Sequence, residues 1–220
     1  MSVTLKMSQP AIRYPFLVAE GSRQMALDEA MLQATIHDGR IRLRFYDWVV
    51  PTISLGRNQK RELPEGERWD TLPVIRRPTG GRAVLHQNDV TYAITLPITE
   101  KETLSALYTR IIEPIASAIE RLVGICPDFV PYTRSRPLNQ TSRIPCFQAP
   151  SHRELLLGGK KILGAAMLRK EGALLQHGTI LFAPDSHLQQ PFLGENPVGL
   201  SSFRPELTRE EIVQGVQSAL

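Results

Sequence analysis

The sequence predicts an α+β fold, a mainly antiparallel sheet flanked by helices, and three patterns carry that prediction. From Glu154 to Phe182, apolar runs are joined by short Gly-containing turns, the pattern of an antiparallel meander. Two long stretches, 23–37 and 102–123, repeat apolar residues at helical spacing. These helices stand apart from the strands instead of alternating with them, which separates α+β from a wound parallel sheet. The chain has 220 residues, 42% of them hydrophobic and 22% charged, with no repeat, low-complexity segment or dividing linker. One domain spanning 1–220 is expected.

Residues 1–15 read as an arm punctuated by Pro10 and Pro15. Arg23 to His37 follows as an amphipathic helix, with Met25, Leu27, Ala30, Met31 and Ala34 on one side, Ser22 as candidate N-cap and Gly39 just past the end. Asp28 and Glu29 lie within it, and serve either as functional carboxylates or as the usual acidic complement of a helix start. Ile41 to Trp48 alternates apolar and polar, a strand with one buried face, and Thr52 to Gly56 is a second short strand. Asn58 to Asp70 is polar and reads as loop or short helix.

Residues 73–96 read as strand, Gly-rich turn and strand. A 3.6-residue stripe then runs from Leu104 to Leu122, with Pro114 set to kink or split it and Cys126 expected in the core beyond it. An irregular connection over 129–144 delivers Cys146. Gly158-Gly159 and Lys170-Glu171-Gly172 turn the meander, and Thr208 with Glu211 forms a capping box that starts a helix in a loop-rich tail.

The most informative stretch is Arg76-Arg77-Pro78-Thr79-Gly80-Gly81-Arg82-Ala83-Val84-Leu85-His86. Glycines allow positive φ and close backbone approach, while three arginines gather cationic donors around the opening. Such a loop suits an anionic or carbonyl-bearing ligand; the plainer alternative is a hairpin with solvated arginines. The net charge of +4 comes mostly from arginine, which favours carboxylate and phosphate recognition or an acidic protein partner. No basic helix, zinc-finger spacing or RNA-binding signature points to nucleic acid. The five histidines are scattered and Cys126 and Cys146 belong to no CxxC, so no metal site is expected. No apolar run approaches membrane-spanning length and the first residues lack signal-peptide features, so a cytoplasmic protein with reduced thiols is the expectation.

Three segments stand together: the Arg/Gly loop, Ile144-Pro145-Cys146-Phe147-Gln148-Ala149-Pro150-Ser151, and Gly159-Lys160-Lys161-Ile162-Leu163-Gly164-Ala165-Ala166. With Gln24 to Ala30, Leu43 to Tyr46, Ser54 to Gln59 and Gln176 to Leu181, they resemble the lipoate–protein ligase A/B superfamily, whose core is shared with biotin–protein ligases. The resemblance covers most of the chain and implies a biotin/lipoate-protein ligase-like fold in a single catalytic domain. Arg82, where ATP-using ligases usually carry a third glycine, and Cys146, where cysteine-dependent acyltransferases carry their nucleophile, resemble the branch of octanoyl-carrier-protein:protein N-octanoyltransferases. Gln87 departs from the family, many members of which have Asp after the His.

That branch implies transfer of octanoyl from acyl carrier protein to a lysine of a lipoyl domain or glycine-cleavage H protein, without nucleic acid or membrane. No cofactor is implied beyond the phosphopantetheine carried by the donor; ATP and Mg belong to the alternative of lipoate ligation. A further alternative is amidotransfer between lipoyl domains. The chemistry favours a thioester route, because thiolates are strong nucleophiles and good leaving groups. Cys146 is the candidate nucleophile, or else a small buried residue. Lys161 is the candidate for stabilising its thiolate, orienting the acyl carbonyl and taking a proton from the incoming lysine, and Lys160 lies on the opposite strand face. Gly164 and Ala165 are expected beside the carbonyl, with Gly178 near the ligand. His86 and His177 either orient ligand and loop or make structural hydrogen bonds. Arg76, Arg77, Thr79, Gly80, Gly81 and Arg82 complete the expected binding residues, and Arg134, Arg136, Arg143 and Arg153 either receive an acidic carrier protein or face water.

Overall fold

The alternation in Ile41 to Trp48 has a different outcome from the single buried face the sequence predicts. In the structure, a computed structural model describing residues 10–60, 71–129, 154–193 and 196–220, strand β3 (Arg42–Trp48) is buried on both faces. Leu43 and Phe45 point into the larger apolar core, while Arg42, Arg44, Tyr46 and Trp48 lie beneath helix α1 (Gly21–Asp38). A buried arginine needs its donors satisfied. Arg42 donates to Asp38 and Arg44 to Asp28 at 2.8 Å, both acceptors on α1.

Around β3 the arm supplies β1 (Ile12–Arg13), and β2 (Leu17–Ala19) follows just beyond it; both are short strands pairing parallel with β3. Strand β4 (Thr52–Leu55) is the centre of a separate small sheet. Its neighbours are β5 (Val74–Arg76), parallel, and β6 (Val84–His86), antiparallel. The strand, Gly-rich turn and strand read over 73–96 become three strands, and β5 and β6 do not pair as the plainer hairpin alternative would have them: they flank β4, and the loop between them crosses from one edge to the other. A bend at Gln87-Asn88 then separates β6 from β7 (Asp89–Pro97).

Helix α2 (Leu104–Val123) is one helix through Pro114, capped by Thr103 and ended by Gly124 at φ 71°. Cys126 lies beyond it, exposed, so its expected place in the core is corrected. After β8 (Asp128–Phe129), β9 (Leu155–Leu157), β10 (Lys160–Lys170) and β11 (Ala173–Leu181) form the expected meander. Both turns are tight, with Gly158 and Gly159 at φ 54° and 74° and Glu171 and Gly172 at 48° and 75°. The main sheet runs β1-β3-β7-β11-β10-β9-β8, with β2 also on β3.

Helix α3 (Ser186–Leu193), unforeseen in the tail, covers the small sheet with Leu188, Phe192 and Leu193. Helix α4 (Arg209–Ala219) begins at the expected capping box of Thr208 and Glu211 and packs Ile212 and Val216 with α2 into the main core. Helix α1 begins at Gly21, with Glu20 in the N-cap position instead of Ser22. Among the described residues no helix is long and apolar enough to cross a membrane, and no cluster of three His, Cys, Asp or Glu side chains could hold a metal.

Candidate active site

Where the two sheets meet under α1 there is a cavity of about 260 Å³. Met25 comes to it from α1, Tyr46 and Trp48 from β3, Leu104 and Tyr108 from α2, and Gly164 to Met167 from β10. Most of this wall is apolar. Its polar groups are concentrated on Ser54, Arg77, His86, Thr91, His177 and Thr179, with the backbone of Gly80 and Gly81 beside them.

The Arg/Gly loop owes its shape to Arg77. This guanidinium is buried and donates to Ser54 O at 2.8 Å, to Ser54 Oγ at 3.2 Å, to Gly80 O at 2.9 and 3.1 Å and to Arg82 O at 2.6 Å. The Arg57 amide donates to a further loop carbonyl, Thr79 O, at 2.8 Å. Among the described residues the amides of Gly80 and Gly81 have no acceptor. A loop whose carbonyls are drawn to one guanidinium and whose amides are unoccupied can receive a carbonyl or anionic oxygen. Gly81 holds φ 94°, and a side chain there would meet Arg77 Nη2 at 2.7 Å. Gly56, just past β4, lies directly under the loop: a Cβ on it would overlap Gly81 O and come within 2.8 Å of Gly81 C.

Two histidines tie this loop to the rest of the fold. His86 Nε2 is 2.8 Å from Ser54 Oγ, and its Nδ1 is 3.0 Å from Asp89 Oδ2. The ring stacks on Trp48 with centroids 4.1 Å apart, and Thr179 Oγ1 lies 3.4 Å from Nδ1. His177 Nε2 is 2.5 Å from Thr79 Oγ1, and its Nδ1 is 3.2 Å from Asp28 Oδ2. Asp28 also accepts from Arg44 and, at 3.0 Å, from the Tyr46 hydroxyl, while Gln24 accepts from Arg44 as well. Burial drives the His177 imidazole below its ordinary range, the Asp28 hydrogen bond resists this, and Arg77 and His86 add to the lowering. Burial likewise drives the Tyr46 hydroxyl well up, with the Asp28 charge acting in the same direction.

The structure brings Arg77, Gly80, Gly81, His86, Gly164, Ala165, His177 and Gly178 together at the cavity. Thr79 stands just behind its wall on His177. The reading of the arginines as solvated is corrected for Arg77, and Arg76 is committed to the carbonyls of Gly56, Arg57 and Gln59. Among the described residues the buried Nη1 of Arg82 has no hydrogen-bond partner. Lys161 is on β10, its side chain 6% exposed and ion-paired at 2.6 Å to Glu154, while Lys160 is exposed. Cys146, His152 and Arg134, Arg136, Arg143 and Arg153 lie outside the described residues. Asp28, read as carboxylate of either kind, is buried with Arg44. Sequence reasoning missed Ser54, Asp89, Trp48 and Glu154. The spacing of His86 and Asp89 was a signal for one pair, while Ser54 stood only as the first residue of a segment of resemblance, with no role attached.

A family model for the lipoyl protein ligase A/B catalytic domain matches residues 20–210. This chain belongs to that family. Its relatives there include octanoyltransferase LipM of an Exiguobacterium species, 39% identical over 181 residues covering 76% of this chain and 64% of the relative. The LipM of Anoxybacillus flavithermus is 38% identical over 205 residues, covering 88% and 70%. The chain thus spans less than two thirds of the first of these relatives. A crystal structure of lipoate-protein ligase A bound with ATP has the same fold, with a TM-score of 0.76, 21% identity and coverage of 96% of this chain and 84% of the other. The expected ligase-like fold is therefore the observed one. With Gln87 directly after the histidine, His86 pairs in this chain with Asp89, three residues on.

Proposed function

We propose that this member of the lipoyl protein ligase A/B family is a protein octanoyltransferase of lipoate biosynthesis, moving an octanoyl group from acyl carrier protein to a lysine of a lipoyl domain or glycine-cleavage H protein. The observation that carries the proposal is the likeness to octanoyltransferases, at 39% identity, in a chain whose family-defining loop walls an apolar cavity of about 260 Å³. Binding pockets for drug-sized ligands are commonly about 300–1,000 Å³. A slim, mostly apolar cavity suits a medium-length acyl chain, and the unoccupied Gly80 and Gly81 amides suit its carbonyl oxygen.

In this reading Cys146 gives up its thiol proton and attacks the donor thioester carbonyl as thiolate, the C–S bond to phosphopantetheine breaks, and the carrier leaves as a thiolate that takes up that proton. The acceptor ε-amine then attacks the Cys146 thioester, an amide forms, and the Cys146 thiolate departs as the amine loses its proton. The Lys161 pair with Glu154 gives an ammonium aligned by a carboxylate, a group that donates and orients. It supports the electrostatic role for Lys161 over that of proton acceptor from the incoming amine.

Intact mass after mixing with octanoyl-acyl carrier protein, without ATP, tests this directly. A hydroxylamine-labile octanoyl adduct is expected on the wild type and absent from Cys146→Ala. No adduct, with acylation of a lipoyl domain only when ATP and free lipoate are added, places the activity with ligation. A lipoylated domain acting as sole donor places it with amidotransfer.

A further inference from the structure

We propose that Ser54–His86–Asp89 and Thr79–His177–Asp28 are two positioning relays that hold the 76–82 loop from opposite sides, each with its imidazole fixed in the Nδ1–H form. The hydrogen-bond inventory dictates this arrangement. An ionised Asp89 can only accept, so His86 Nδ1, which faces Asp89 Oδ2 at 3.0 Å, carries the ring proton. The bare Nε2 of the neutral ring then receives the Ser54 hydroxyl at 2.8 Å, while Ser54 Oγ accepts from Arg77 at 3.2 Å. The same reasoning applies on the other side. Asp28 already accepts from Arg44 and Tyr46, so His177 Nδ1–H adds a further donor to it, and the bare Nε2 receives the Thr79 hydroxyl at 2.5 Å.

The relays are anchored independently, one on β7 through Asp89 and the other on α1 through Asp28, yet both end on the same loop. Thr79 belongs to it directly, and Ser54 reaches it through Arg77, which gathers the Gly80 and Arg82 carbonyls. The charged and titratable groups around His177 are Asp28, Arg77 and His86, with Arg44 and Tyr46 bonded to Asp28. Around His86 they are Asp89 and, through Ser54, Arg77; Trp48 covers its face. Each ring therefore has one orientation and one tautomer that satisfy all its neighbours. A second proton on His177 would make its Nε2 donate to Thr79 Oγ1 and leave the Thr79 hydroxyl hydrogen without another described acceptor.

The activity arm of the test rests on the octanoyltransferase reading, whereas the spectroscopic arm does not. Ring-nitrogen NMR of the full chain at neutral to mildly alkaline pH is expected to show His86 and His177 as Nδ1–H tautomers. Asp89→Asn should shift the His86 population toward Nε2–H, and a wild type in which either ring is mainly Nε2–H overturns the proposal. Octanoyl-adduct formation in Thr79→Val should slow by about tenfold or more, as displaced site geometry does, while Thr79→Ser, which keeps the hydroxyl, should restore it. Equal rates in Thr79→Val and wild type would also overturn it. A wild type that forms no Cys146 adduct defeats the transfer reading instead, and the tautomers then decide the relays alone.

Discussion

Arg77 shows how far a single side chain departs from what its type suggests. The guanidinium was expected at the ligand, yet its donors go to the carbonyls of Ser54, Gly80 and Arg82 and to the Ser54 hydroxyl. Its planar fork can meet them together and an ammonium cannot. Arg77→Lys is therefore expected to lower stability by about 2–3 kcal/mol, since hydrogen bonds from a charged donor contribute about 1.5–3 kcal/mol each, and thermal or urea unfolding would measure it. Gly56→Ala should cost about 1–3 kcal/mol by overpacking, because the added methyl overlaps the Gly81 carbonyl. His177 carries a pH signature. Its folded form resists protonation, so below the ordinary value of 6.5 the unfolded chain binds the proton first. The stability it contributes is full above that value and declines as pH falls from it toward the lower folded value. Unfolding midpoints between pH 5 and 8 should lose part of this slope in His177→Gln. The glycines of the loop were readable because backbone freedom belongs to the residue itself. The Ser54 partner of Arg77 and His86, and the Asp28 and Thr79 partners of His177, were not, because they lie far from those residues along the chain.

Elements with local signals followed the sequence most closely. The 158–159 and 171–172 turns, the α2 stripe and the α4 capping box depend on neighbours a few residues apart, and all are present. Thr208→Ala should cost about 1 kcal/mol, the usual loss at an N-cap, as a lower unfolding midpoint; an unchanged midpoint would show that α4 is held by its packing on α2 alone. The pairing of β5 and β6 was not readable, for the complementary reason. Which strand lies between two others is decided by pairing with β4, which precedes both in sequence and is separated from β5 by a long connection. Strand β3 misled in another way, since arginine marks an exposed face unless a helix supplies carboxylates, and α1 does so with Asp28 and Asp38. Helix α3 was missed because its eight residues include Pro191 and too short an apolar pattern to establish a period.

Across the whole molecule, α1 and the main sheet are joined through a buried ion pair, Asp28 with Arg44, as well as through apolar packing. Removing one member leaves the other charge buried. Asp28→Ala is expected to destabilise by about 3–5 kcal/mol, measured by chemical denaturation, and to do so more than Asp38→Ala, whose carboxylate is 32% exposed. The fold class was readable because the helices and strands are separately periodic, whereas the cavity draws on residues from Met25 to Thr179. The contact between Asp28 and His177 joins positions 149 apart in the chain. During synthesis, Asp28, Arg44, Arg77 and His86 leave the ribosome well before His177, and β7 waits with one edge unpaired until β11 arrives to cover it. The cavity therefore cannot be completed before β11 has emerged, and a polypeptide released before that point would expose the strand edge that folding chaperones and competing β-strands both recognise.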